Sequence, residues 1–301
     1  MILLRIISLV ILIVPQVFGQ SDEGLVNLNG TKLYLKSEGQ GEPILVVHGG
    51  PGMNHQYFLP HLNGLSEDFK IIYYDQRASG KSAIPWIDSI TMDFFADDIE
   101  AIRQHLRVDK INILAHSWGA LPATLYGIKY PDKVGKMILC NSVPLSKAFE
   151  DDIRRIAHQR TSGLDSTDRS IIKGSPNYRA GKSSAYRKLL LLSFRNSFHK
   201  KSNLKHLNIE VPENYVSASS ALFGGLSGDL SAYDYYDQVA KFNFPVLLLH
   251  GKHDAMPIAA DELAKEKIPN ATLEVFKKSG HFIFVEENKK FTSAIQKFMG
   301  R

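Results

Sequence analysis

The chain has 301 residues, 44% of them hydrophobic and 22% charged, with a formal net charge of +5. That is an ordinary globular composition, long enough to bury a full core in one large domain or in a domain with an insertion. A single cysteine, Cys140, excludes an intramolecular disulfide scaffold, and positive charges scattered without a basic stripe of interleaved aromatics speak against a nucleic-acid partner.

Residues 1–19 hold one cation at Arg5, an apolar stretch over 6–14, a break at Pro15, and small or medium residues at Val17 and Gly19. This pattern is that of a secretory signal peptide cleaved after Gly19, which places a mature chain starting at Gln20 in a secreted or periplasmic location without stable membrane association. The apolar run is shorter than the roughly 20 residues a spanning helix needs; the alternative is an uncleaved N-terminal anchor. Residues 25–35 then alternate around Asn29-Gly30, which predicts two antiparallel edge strands joined by a tight turn.

Short, near-continuous apolar runs follow at 44–47, 71–74, 111–114, 137–139, 246–249 and 273–276, with helical-period segments between several of them. Strands covered on both faces have this character, so the expected class is α/β with a mostly parallel sheet and helices on both faces. The alternation lapses over about 142–237, a stretch rich in Arg, Lys, Ser and Tyr with helical pieces at 148–158 and 186–198. It is expected to be an inserted, mainly helical cap over the C-terminal strand ends, with the core formed by 20–141 and 238–301. Open α/β sheets bind ligands at those ends, where a cap shapes the pocket and excludes water.

Ser117 lies in Ala115-His116-Ser117-Trp118-Gly119, between the apolar run 111–114 and the helix-like stretch 120–130. A serine on a strand-to-helix turn has its hydroxyl thrust out of the sheet, and the N–H of the next residue points at a bound carbonyl oxygen. Considered alone, Ser117 could simply cap the following helix. Three further motifs stand in register with it: His48-Gly49-Gly50-Pro51-Gly52, Gly251-Lys252-His253-Asp254 and Ser279-Gly280-His281, each after a strand-like run. The order Ser, Asp, His is that of an α/β-hydrolase triad, so Ser117 is the candidate nucleophile, His281 its base and Asp254 the group that orients the imidazole. Gly50, where no Cβ keeps a backbone N–H from a developing charge, and Trp118, whose N–H follows the nucleophile, are the candidate oxyanion donors.

Other polar residues have plainer explanations. His48 is expected to be packed and hydrogen-bonded, His116 and His253 to be supporting or solvent-facing neighbours, and Cys140 to be a buried inert thiol. Asp75 rivals Asp254 but precedes Ser117, against the expected order. No histidine falls in H-E-x-x-H or pairs with cysteine, so no metal site is expected.

Taken together, His48 to Gly52, the run Asp75-Gln76-Arg77-Ala78-Ser79-Gly80-Lys81-Ser82, and Ser117-Trp118-Gly119 resemble the α/β-hydrolases of the proline iminopeptidase type. The resemblance implies a cofactor-free serine hydrolase that acts on a small-molecule or short-peptide substrate and releases N-terminal proline or another small residue. Ala115 stands where the first glycine of the elbow is usual, and Ala78 where a glycine follows the triplet Asp75-Gln76-Arg77. Cap carboxylates that hold a substrate amine in such enzymes have no clear match, and Glu210 and Glu213 are candidates by location only. Their absence from the site would favour an ester, lactone or neutral amide on the same triad. A non-catalytic binding protein is the remaining reading, and Ser117 at the nucleophile position disfavours the aspartate chemistry of epoxide hydrolases and haloalkane dehalogenases.

Overall fold

The computed structural model describes residues 23–301, and the leader expected over 1–19 lies outside the described residues. Strand β1 (Glu23–Leu28) pairs antiparallel with β2 (Thr31–Glu38), Leu28 facing Thr31. Asn29 and Gly30 both take positive φ, 45° and 74°, as a tight two-residue hairpin turn of the type favoured by strand twist requires. Of the two hairpin strands, β1 lies at the sheet edge and β2 does not: β2 is flanked by β1 and β4 (Phe69–Asp75), so its apolar residues Leu33 and Leu35 enter the core.

The remaining strands are β3 (Glu42–Val47), β5 (Ile111–His116), β6 (Val134–Cys140), β7 (Val246–Gly251) and β8 (Ala271–Phe276). All eight form one sheet in the order β1-β2-β4-β3-β5-β6-β7-β8, parallel from β4 onward. Successive residues of a strand point to opposite faces, and the burial follows that period. Leu45, Val47, Ile113 and Leu248 enter one core with the helices Met92–His105 and Ala120–Lys129. Ile44, Val46, Leu114 and Leu249 enter the other, with the helix Asn288–Met299.

Helix Met92–His105 shows how the local sequence specifies its element. Thr91 caps it, Asp93 lies in its first turn, Arg103 and His105 lie in its last, and Phe95, Ile99 and Ile102 are buried on one stripe. Between β6 and β7 the chain leaves the sheet and returns through a small antiparallel closure. Ser146 bridges Asp234, the Lys147 N–H donates to Tyr233 O at 3.0 Å, and the Tyr235 N–H donates to Leu145 O at 2.9 Å. The helices Glu150–Arg160, Gly163–Gly174, Ser183–Arg195 and Tyr215–Gly225 lie inside that closure. Glu150–Arg160 buries none of its residues and Ser183–Arg195 only Ala185 and Leu192.

Candidate active site

Sheet order brings the site together. The C-terminal ends of β3, β5, β6, β7 and β8 are consecutive neighbours, and the segments that follow them carry Gly50, Ser117, Asn141, Asp254 and His281. Ser117 has φ +55°, a left-handed conformation that costs a non-glycine residue about 1–2 kcal/mol. Gly119 permits this turn, since a Cβ there would lie 2.4 Å from Val47 O. Ala115 is fully buried in β5 opposite Val47 and Leu139, so its methyl group is accommodated within the sheet.

Ser117 Oγ lies 2.9 Å from His281 Nε2, and His281 Nδ1 lies 2.8 and 3.0 Å from the two oxygens of Asp254. Asp254 also accepts from Asn141 Nδ2 at 2.6 Å and from the Met256 N–H at 3.2 Å. Burial opposes the charge on Asp254, but His281, His250 and the Asn141 amide outweigh it and hold the carboxyl down to about 2. Ser117 and His281 each retain 8% exposure, enough for a substrate atom to reach them. His281 is presented by closely packed backbone: a Cβ on Gly280 would meet Ser197 O at 2.1 Å, and the His281 N–H donates to the same carbonyl at 2.7 Å.

The glycine-rich segment after β3 lies against this array. Gly50 has φ +134° and Gly52 φ +88°, conformations that favour glycine. His48 is buried, donates from Nδ1 to Gly49 O at 2.7 Å and accepts the Gln76 N–H at Nε2 at 3.0 Å. Burial keeps it neutral, with its pKa lowered to about 4. Gln76 also bridges the two segments that carry the candidate oxyanion donors Gly50 and Trp118. Its amide donates to His48 O at 2.5 Å and accepts the Trp118 indole N–H at 3.0 Å. Asp75 is occupied by the His55 N–H, His55 Nδ1 and the Lys81 N–H, at 2.7–2.9 Å, and serves loop structure.

A cavity of about 50 Å³ opens onto Ser117 and His281 and is walled by Met53, Tyr57, Phe194 and Phe282. Among the described residues no carboxylate lines it. Glu210 and Glu213 are both exposed; the Glu210 carbonyl accepts from Asn54 Nδ2 at 3.0 Å, and the Glu213 carboxylate accepts from the Ser183 hydroxyl at 2.7 Å. His253 stacks on His199 with ring centroids 4.1 Å apart, away from the cavity lining. Cys140 is buried, and burial pushes its thiol pKa up. Sequence reasoning missed Asn141, Gln76 and Tyr57, because their partners lie on segments far apart in the chain. Gln76 had a local signal in its place beside Asp75 and Arg77.

The alpha/beta hydrolase fold family matches residues 42–288. The chain is similar to a proline iminopeptidase of Clostridium botulinum, 26% identical over 272 residues, which span 87% of this chain and 91% of that protein. Among solved structures, a proline iminopeptidase of Mycobacterium smegmatis has a TM-score of 0.68 at 20% identity, covering 92% of this chain and 97% of that one. An esterase of Exiguobacterium antarcticum superposes equally well, with a TM-score of 0.67 at 23% identity, covering 92% and 99%. With a match that runs from β3 to the start of the last helix and takes in all the segments that carry the candidate triad, the chain belongs to the alpha/beta hydrolase fold family.

Proposed function

We propose that this chain is a serine hydrolase that cleaves amide bonds through an acyl-enzyme, releasing N-terminal proline or a small residue from short peptides. The observation that carries the reading is the unbroken hydrogen-bonded run from Ser117 Oγ through His281 to Asp254, opening onto a compact apolar cavity. In the proposed cycle His281 Nε2 takes the Ser117 proton as Oγ attacks the scissile carbonyl. The N–H groups of Gly50 and Trp118 hold the oxyanion, and His281 then protonates the leaving amine. Water, deprotonated by the same imidazole, releases the acyl group and restores Ser117. Asp254 stays ionised and stabilises the imidazolium.

A second reading keeps the triad and changes the substrate to a neutral ester, lactone or amide. It is favoured by the cavity wall, which among the described residues contains no carboxylate to pair with a substrate ammonium. An unpaired buried charge costs several kcal/mol, on the order of 3–5, so the two substrate classes separate sharply. The test is turnover of proline anilide, its N-acylated form and a short-chain aryl ester by wild type and Ser117→Ala. Cleavage confined to the free-amine substrate and lost in the variant supports the aminopeptidase. Ester cleavage indifferent to the amine overturns it in favour of the second reading, and silence on all three overturns both.

A further inference from the structure

A one-way hydrogen-bond chain runs beneath the candidate nucleophile. The Gly49 N–H donates to Tyr57 Oη at 2.5 Å, Tyr57 Oη lies 2.9 Å from His116 Nδ1, and His116 Nε2 lies 2.9 Å from the carbonyl oxygen of His281. The two ends fix the direction of every link. A carbonyl can only accept, so His116 carries a proton on Nε2, and because burial keeps the imidazole neutral Nδ1 offers a lone pair. Tyr57 must therefore donate to Nδ1, which leaves its oxygen to accept from the Gly49 N–H. One neutral imidazole and one phenol use all their ring and hydroxyl hydrogens in a single sense.

We propose that Tyr57 and His116 are positioning residues, which hold the Gly49–Gly50 peptide at the oxyanion position and tie it to the backbone of His281. The proposal rests on the acyl-enzyme reading above. The Gly49 N–H is committed to Tyr57, so the candidate oxyanion donor is the next one, on Gly50, which belongs to the Gly49–Gly50 peptide plane. Glycine at 49 leaves room for this chain: a Cβ would sit 3.0 Å from Ser117 Cβ, 3.2 Å from Tyr57 Oη and 3.3 Å from His116 Nδ1, tight enough to press on all three groups. The two rings are held by packing on several sides. Tyr57 stacks on Phe58 with centroids 4.3 Å apart, and His116 lies 4.8 Å from the His281 ring and 5.2 Å, edge-on, from Phe284. Both residues are buried, at 2% exposure, so no water replaces a lost partner without rearrangement.

An interaction that aims an oxyanion donor acts on the transition state and leaves ground-state binding unchanged. Tyr57→Phe keeps the ring and removes the hydroxyl. It is expected to lower kcat on 4-nitrophenyl acetate by about 10–100-fold with KM within about twofold, and to slow fluorophosphonate labelling of Ser117 by a similar factor. His116→Asn, which removes the donor to His281 O, is expected to show the same kcat-selective loss. Tyr74→Phe is the control, because the Tyr74 hydroxyl is buried without a partner and lies outside the site. Unchanged kcat and labelling in Tyr57→Phe, or a loss carried by KM, overturns the positioning role. Wild-type protein that neither labels nor turns over substrate overturns the hydrolase reading instead.

Discussion

Asp254 has the most fully specified surroundings of any residue in the site. Both its oxygens face His281 Nδ1, and Asn141 supplies a third contact at 2.6 Å. Asp254→Asn would keep the shape and reverse the hydrogen-bond sense at Nδ1, favouring the imidazole tautomer that cannot take the Ser117 proton. The expected loss in kcat is about 10⁴-fold, read by steady-state kinetics on whichever substrate the wild type accepts. A loss below about tenfold would mean that Asp254 does not orient the base. The candidate triad residues were legible in sequence because each follows its own apolar run. Asn141 was not, since a single asparagine after a strand has no periodicity or spacing to mark it. Ala78 was legible as a departure, and its φ of +54° supplies the reason: the position favours glycine, and a Cβ there costs about 1–2 kcal/mol.

At the level of elements, the hairpin and the parallel strands follow from turn chemistry and apolar runs, whereas the helices between β6 and β7 are displaced from their expected bounds, Glu150–Arg160 against 148–158 and Ser183–Arg195 against 186–198. The difference is physical. Helix Ser183–Arg195 buries only Ala185 and Leu192, so its ends are set by side-chain contacts rather than by a periodic apolar face. Asp165 illustrates such a contact, accepting from the Ser162 N–H, the Ser162 hydroxyl and Asn196 Nδ2 at 2.8–2.9 Å and pairing with Arg195. The same helix places Phe194 in the cavity wall, edge-on to Phe282 at 5.2 Å. Phe194→Ala removes a wall of the cavity, so its hexanoate-to-acetate ratio of kcat/KM on aryl esters should rise about tenfold or more. One methylene in an apolar pocket is worth about 1–3 kcal/mol. An unchanged ratio would place the acyl group elsewhere.

Whole-molecule behaviour is governed by what the sheet order brings into its interior. Strand order could not be read from the sequence, because it depends on which segments pair and not on their composition; it sets five chemically distinct segments side by side. It also buries His48 and His116, and burial lowers their pKa values to about 4 and about 3 from 6.5. The unfolded chain protonates both residues as pH falls through 6.5, while the folded chain refuses those protons until pH 4 and below. The unfolded state therefore binds more protons over this window, so stability is present above 6.5 and drains as pH falls. Asp254, held at about 2, adds to the loss only below its unfolded value of 3.8. Near pH 5 the difference approaches two protons, or roughly 2–3 kcal/mol per pH unit at about 1.4 kcal/mol per proton. Self-repulsion from a net charge of +5 has the same sign, but salt screens it and leaves the proton uptake in place. Urea unfolding between pH 6.5 and 5 at 0.5 M salt should retain most of the slope, and His116→Asn should reduce it by about one proton. A flat profile at high salt would mean that the two histidines are not held neutral by the fold.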